Sequence, residues 1–155
     1  SGRAAPLRCS ERVDSAGRMS RGRRVKTRTQ PCTAEQALKR LADARRFLEL
    51  ADDEPEPTSL GVSAANAVLA GVAAADAACC RALGERSRGE DHRDALALVV
   101  QVSPGGAEAA NALSRLLAIK NDAEYGLSSI SRVKRDTALR QATKLVEFAE
   151  AVLRR

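Results

Sequence analysis

The chain has 155 residues, enough for one compact domain, and 30 of them are alanine while only three are aromatic. This composition favours helices, because alanine has the highest helix propensity, and no stretch alternates apolar and polar residues long enough to predict a strand. The net charge of +6 is unevenly placed, since residues 1–30 carry nine basic and two acidic side chains and the remainder is close to neutral. The basic charge is therefore no evidence for a cationic face on the folded part. Arginine outnumbers lysine 21 to 5, which suggests a GC-rich bacterial genome.

Residues 1–31 contain few large apolar side chains. Such a segment cannot offset its ordering entropy, so we expect a disordered basic arm ahead of a folded domain spanning 32–155. Its run "RGRRVKTR" is similar to a nucleic-acid-binding arm in which Arg23, Arg24 and Lys26 would contact phosphates. The alternative is a solvated tail without a ligand.

The four cysteines, Cys9, Cys32, Cys79 and Cys80, include no CxxC pair, and one histidine cannot complete a clustered zinc set. We therefore predict no metal and no cofactor. The cysteine usage favours a reducing, cytoplasmic setting. No apolar run is long and pure enough to predict a membrane span, although residues 60–80 come closest.

Helical periodicity and end signals predict the first two helices. "TAEQ" fits a capping box at Thr33, and an apolar stripe follows it to about residue 51. A second helix is expected from Leu60 to Leu83, with Gly84 as its stop. Its side chains are so small that neighbouring helices can approach closely, which predicts a central helix with contacts on several sides. Asn66 and Asp76 are expected to be buried there and to need partners.

The same signals place three further helices. The third should begin near Glu90 or Asp91 and run to about Val102, and the fourth should begin after a Ser103 cap with Pro104 in its first position. The fourth ends at Tyr125, and Ser131 caps the last helix. The fold class is thus an all-α, five-helix up-and-down bundle.

Chemistry is concentrated between the second and third helices. "RALGERSRGEDHRDAL" contains the only histidine, His92, with Arg86 and Arg88 shortly before it. A histidine can serve as a base and an arginine can hold a phosphate in bidentate fashion. The alternative is structural, with His92 as a hydrogen-bonded corner residue and the arginines as partners of acids or carbonyls at helix ends.

The stretches "NAVLAGVAAADAACCRALGERSRGEDHRDALAL" and "LSRLLAIKNDAEYG" resemble bacterial HEPN-type helical domains, and the likeness extends over about residues 34–155. The resemblance implies an up-and-down bundle, often dimeric, and in many members a metal-independent RNase of toxin–antitoxin or phage-defence systems. The family motif is an arginine and a histidine separated by four to six residues, which Arg86 and His92 match. Ser87 stands where the family usually has Asn, Asp or His.

A second stretch, residues 120–125, is similar to an altered form of the same motif. Lys120 would replace the arginine, Asn121 keeps the polar place and Tyr125 would replace the histidine. If this stretch is the true equivalent, the catalytic histidine is missing.

Three functions remain open from the sequence. The first is a non-catalytic bundle that binds a partner protein or a nucleotide. The second is a metal-independent endoribonuclease that uses Arg86 and His92 across a homodimer cleft. The third is a nucleic-acid-binding protein that acts through its basic arm.

Overall fold

A computed structural model describes residues 28–53, 59–88, 91–125 and 130–155, with only the backbone of residues 123–125. Five helices form a bundle in this part of the chain, so the all-α prediction is confirmed. They are α1 (Ala34–Asp53), α2 (Leu60–Leu83), α3 (His92–Val99), α4 (Gly106–Tyr125) and α5 (Arg132–Leu153).

The end signals of α1, α2 and α5 act as predicted. Thr33 Oγ1 accepts from the Gln36 amide at 3.1 Å, and Gln36 Oε1 accepts from the Thr33 amide at 2.9 Å, which closes the capping box. Gly84 follows α2 in the left-handed region with φ 74°, where glycine has no Cβ penalty. Ser131 caps α5 by accepting from the Lys134 amide at 3.1 Å.

Helix α2 is the centre of the bundle, as its small side chains predict. It packs against the other four helices, most extensively against α1 and α5. A Cβ placed on Gly71 would collide with Leu116 Cδ1 of α4, so the absence of a side chain there allows the close approach. Where α1 ends, the buried Ser63 hydroxyl of α2 donates to the Ala51 carbonyl at 2.7 Å.

Burial also explains the apolar character of α2. The helix is long and apolar enough to cross a membrane by length and composition, but 72% of its most apolar window is buried inside the bundle. This burial is consistent with the core helix of a soluble protein. Asn66 is only half-buried, contrary to the expectation, whereas Asp76 is buried and has two arginine partners.

Two short strands are the main departure from the prediction. Thr29–Pro31 (β1) and Glu85–Ser87 (β2) pair antiparallel, with Gln30 opposite Arg86. The expectation of no strand is wrong here, because three-residue strands are too short to show alternation. Residues 29–31, expected in the arm, thus belong to the folded part, while residues 1–27 of the expected arm lie outside the described residues.

A disulfide between Cys32 and Cys80 joins the start of α1 to the end of α2. The Cys32 amide also donates to the Gly84 carbonyl at 2.9 Å. The sequence reading favoured reduced cysteines and did not predict this pair. Cys79, next to it, is a buried free thiol whose pKa is raised to about 12 by burial.

The segment between α3 and α4 also differs from the prediction. Helix α3 ends at Val99, earlier than expected, although Val102 is still buried. Pro104 is not the first residue of α4, because Gly105 has φ 96° and cannot continue a right-handed helix. The helix begins at Gly106, where a Cβ would collide with the Val99 carbonyl.

Candidate functional site

The end of α2 places Arg86 in a fixed corner of the molecule. The Gly84 amide donates to the Cys80 carbonyl at 3.1 Å and ends the helix. The chain then enters β2, so Arg86 lies only two residues beyond the turn. Pairing with β1 continues to Arg88, whose amide donates to the Arg28 carbonyl at 3.0 Å. Backbone hydrogen bonds therefore hold the segment that carries both arginines.

Asp76 and Gln30 orient the Arg86 side chain. Arg86 Nη1 lies 3.6 Å from Asp76 Oδ2. With the Gln30 amide oxygen turned toward the guanidinium, it accepts from Nη2 at 2.8 Å and from Nε at 3.2 Å. The planar guanidinium is thus held along two edges, which restricts its rotation.

Arg40 of α1 is the stronger partner of Asp76. Its Nη2 and Nε donate to Asp76 Oδ2 at 3.0 and 3.3 Å. Burial raises the pKa of Asp76, while the charge and hydrogen bond of Arg40 and then the charge of Arg86 lower it. One buried carboxylate thus links α1, α2 and β2.

His92 begins α3 on the other side of the corner. Asp91 caps the helix by accepting from the Arg93 amide at 2.9 Å, and its pKa is lowered by hydrogen bonds from Arg93. The half-buried His92 points its Nε2 at Lys120 Nζ, 3.2 Å away on α4. The two stretches that the sequence offered as alternative motifs therefore meet through these two side chains.

The side chains converge on one cavity of about 200 Å³, which we term the corner cavity. Its polar lining comes from Asp76, Arg86, Ser87, Arg88, Asp91 and His92. Its apolar lining comes from Val72, Ala75, Ala95, Leu113 and Leu117. Arg86 and His92, the predicted pair, therefore face the same space.

The contact of His92 with Lys120 constrains its chemistry. A lysine ammonium has only donors, so His92 Nε2 accepts when Lys120 is charged, and the ring proton is then on Nδ1. In that state the Nε2 lone pair is occupied and cannot take a proton from a substrate hydroxyl. The arrangement suits binding of an anion better than proton abstraction at Nε2.

Of the remaining predicted site residues, Asn121 does not line the corner cavity. Asn121 is exposed on α4 next to Lys120. Tyr125 is the last residue of α4, and its side chain lies outside the described residues. Arg23, Arg24 and Lys26 of the arm lie outside them as well. In the described ranges, no group of three or more His, Cys, Asp or Glu side chains is placed to hold a metal ion.

Sequence reasoning missed two residues of the corner, Gln30 and Arg40. Gln30 was expected in the arm, and its role depends on the pairing of β1 with β2. Arg40 is not part of the apolar stripe of α1, so the sequence pattern does not distinguish it from an ordinary exposed residue. The one available signal was Asp76, an acid in a small-residue helix that required a partner.

No family model matches this sequence, and no curated protein is significantly similar to it. The likeness to HEPN domains thus depends on the quoted residues.

Proposed function

We propose that this protein is a non-catalytic binding bundle, HEPN-like, that holds a phosphate group of a nucleotide or of RNA in the corner cavity. The observation that supports it is the convergence of Arg86, Arg88 and His92 on one space, with Lys120 bonded to the histidine. Arginine binds phosphate oxygens in bidentate geometry. The apolar wall behind Arg86 and Arg88 excludes water and so strengthens their attraction to an anion.

Size and charge agree with a phosphate group. The volume of about 200 Å³ is below the range of about 300–1,000 Å³ for sites that enclose a drug-sized ligand. The cavity therefore suits one end of a ligand whose remainder lies outside. The exposed Arg88 makes no ion pair with the described part of the chain, so its guanidinium is available to a ligand.

Binding of fluorescein-labelled oligouridylate and of AMP tests this proposal. Arg88→Gln should weaken binding about tenfold, since a charge-assisted hydrogen bond contributes roughly 1.5–3 kcal/mol. Arg140→Gln on α5 is the matched control, because Arg140 lies outside the corner cavity and bonds Thr137. Equal affinities of wild type and Arg88→Gln would refute the site.

The second candidate is a metal-independent endoribonuclease in which Arg86 holds the phosphate and His92 acts as base. Their shared cavity favours it, but Lys120 must first release Nε2. Incubation with total RNA in EDTA tests it. Cleavage that His92→Ala abolishes and Arg140→Gln retains would establish the enzyme and overturn the non-catalytic proposal.

The third candidate, nucleic-acid binding through Arg23, Arg24 and Lys26, is tested by deleting residues 1–27, which keeps β1 and the contact of Gln30 with Arg86. A fall in the salt dependence of binding would support it, because that dependence counts released counterions.

The setting of the protein is also a proposal. We propose a homodimer that acts in a bacterial toxin–antitoxin or defence system, for which sedimentation velocity and genomic neighbours are the tests. In a toxin–antitoxin system, the partner protein would be the antitoxin. The cytoplasmic location stays a prediction, and the Cys32–Cys80 disulfide weighs against it because disulfides persist in oxidising compartments.

A further inference from the structure

A second cavity, of about 710 Å³, lies between α4 and α5 on the side of the turn at Pro104 and Gly105. We term it the α4–α5 cavity. It shares no lining residue with the corner cavity. Its volume lies within the range of sites that enclose small organic ligands, roughly 300–1,000 Å³.

Gln141 of α5 is the unusual residue of this cavity. Its side chain borders the space although only 4% of the residue is exposed, and its buried Oε1 accepts no hydrogen bond from the described residues. A buried amide oxygen without a donor lowers stability, so such groups are rare in folded proteins. Rotation of the side-chain amide toward the cavity would bring this oxygen within reach of a ligand N–H, which would supply the missing donor.

Charged side chains of both signs surround the same space. Arg115 and Lys144 are cationic, Glu108 and Glu147 are anionic, and all four are exposed. None of them forms an ion pair with another described residue, although Lys144 and Glu147 are three apart on one helix. A ligand that carries both charges would match this lining.

An apolar wall completes the cavity. The half-buried Phe148 ring packs over Gly105, with 3.2 Å between Phe148 Cε1 and the place a Cβ would take there. Ala109 and Ala112 of α4 are buried and add to the wall. Arg155 is occupied at the cavity edge, since it donates to the carbonyls of Ser103 and Pro104 at 3.0 and 3.2 Å.

We propose that the α4–α5 cavity binds a zwitterionic small molecule of the short-peptide kind. On binding, the Gln141 amide turns toward the cavity and its Oε1 accepts from a peptide or terminal N–H. The carboxylate lies near Arg115 and Lys144, and an apolar side chain contacts Phe148. The ammonium group is balanced by Glu108 and Glu147. This site is independent of the phosphate-binding function proposed for the corner.

A panel of Ala-Xaa dipeptides tests the site, with the full chain observed by saturation-transfer NMR and calorimetry. We expect a dipeptide with an apolar second residue to bind with a Kd of about 1 mM or below. Its N-acetylated and C-amidated forms should each bind about tenfold more weakly, because each lacks one charge.

Gln141→Met should weaken dipeptide binding about tenfold and raise the melting temperature of the unliganded protein, because the unpartnered oxygen is removed. Gln101→Met is the matched control, since Gln101 is exposed and bonds Ala97 outside the cavity. Lys144→Met, a change at an exposed position, should weaken binding as well, and Lys39→Met on α1 should not.

The proposal is overturned if no dipeptide binds at about 10 mM. It is also overturned if Gln141→Met and Lys144→Met bind as the wild type does. Neither result bears on the proposal for the corner cavity, which is tested separately with Arg88→Gln and a phosphate ligand.

Discussion

The centre of α2 and the corner beyond its end are held together in different ways. Around Gly71 the helix is surrounded by alanine and leucine, and its neighbours approach because there is no side chain to separate them. At the corner, the parts come from distant places in the sequence. A disulfide, a two-stranded ribbon and the Asp76 carboxylate join them.

The difference shows which forces each region depends on. Apolar contact in the centre is non-directional and tolerates only changes that keep the volume small. The corner is held by specific links, and a ribbon of two three-residue strands is marginal without further support. We therefore expect removal of one specific link to destabilise the corner, and a larger side chain to destabilise the centre.

The largest expected effect comes from the disulfide. Cys32→Ser should lower the free energy of unfolding by about 4 kcal/mol in oxidising buffer, because the bond closes a loop with a sequence separation of 48. A reductant should lower the stability of the wild type by the same amount and leave the variant unchanged. Urea unfolding with and without dithiothreitol measures both.

Cys79→Ala is the control for that experiment, because it alters the adjacent thiol and keeps the disulfide. Its stability should still depend on the reductant. If reduction leaves the wild type as stable as before, the corner is not held by this bond.

Overpacking of the centre ranks second. Gly71→Val should lower the free energy of unfolding by about 3 kcal/mol, because its Cβ collides with Leu116 and its branches press on Leu145. Gly61→Val, at the start of the same helix, is the comparison, since nothing lies within 4 Å of a Cβ there. Similar losses in the two variants, measured by denaturant unfolding, would show that α2 is not closely packed at Gly71.

Loss of the corner carboxylate comes third. Asp76→Ala should cost about 2 kcal/mol, because Arg40 and Arg86 both lose their acceptor in a partly buried place. The two guanidiniums are 29% and 36% exposed, so solvent screening keeps the loss at this modest level. Asp43→Ala removes the exposed partner of Arg40 and should cost less than about 1 kcal/mol. Equal losses in thermal unfolding would contradict a special role for Asp76.

The contrast also explains what the sequence could predict. The bounds of α2, the capping box at Thr33 and the cap at Ser131 depend on residues within a few positions of each other, and all three are confirmed. The stop at Gly84 is a local signal of the same kind, since a glycine after a helical stripe predicts the end of the helix without knowledge of the fold.

The corner could not be predicted because its contacts connect distant segments. Four cysteines without a motif do not reveal that Cys32 and Cys80 pair. The contact between His92 and Lys120 depends on how α3 crosses α4. Of the site, the sequence identified Arg86, Arg88 and His92 as candidates, while Gln30 and Arg40 are explained only by the structure.

The smallest expected effect is on the ionisation of Asp76. Burial raises its pKa above the ordinary 3.8, and the two arginines oppose this, Arg40 more than Arg86. Because the folded protein binds this proton more tightly than the unfolded chain, the carboxyl contributes most to stability below pH 3.8. That contribution is lost as the pH rises through the folded pKa.

Arg40→Gln should therefore raise the pKa of Asp76 further than Arg86→Gln does, because Arg40 supplies both the larger charge effect and a hydrogen bond. NMR titration of the Asp76 side-chain carboxyl carbon measures the three values. A pKa below 3.8 in the wild type would mean that the arginines outweigh burial. A larger rise with Arg86→Gln would show that Arg86 of β2, and not Arg40 of α1, is the main partner of Asp76. The corner would then be held chiefly by an arginine that is also proposed to bind the phosphate.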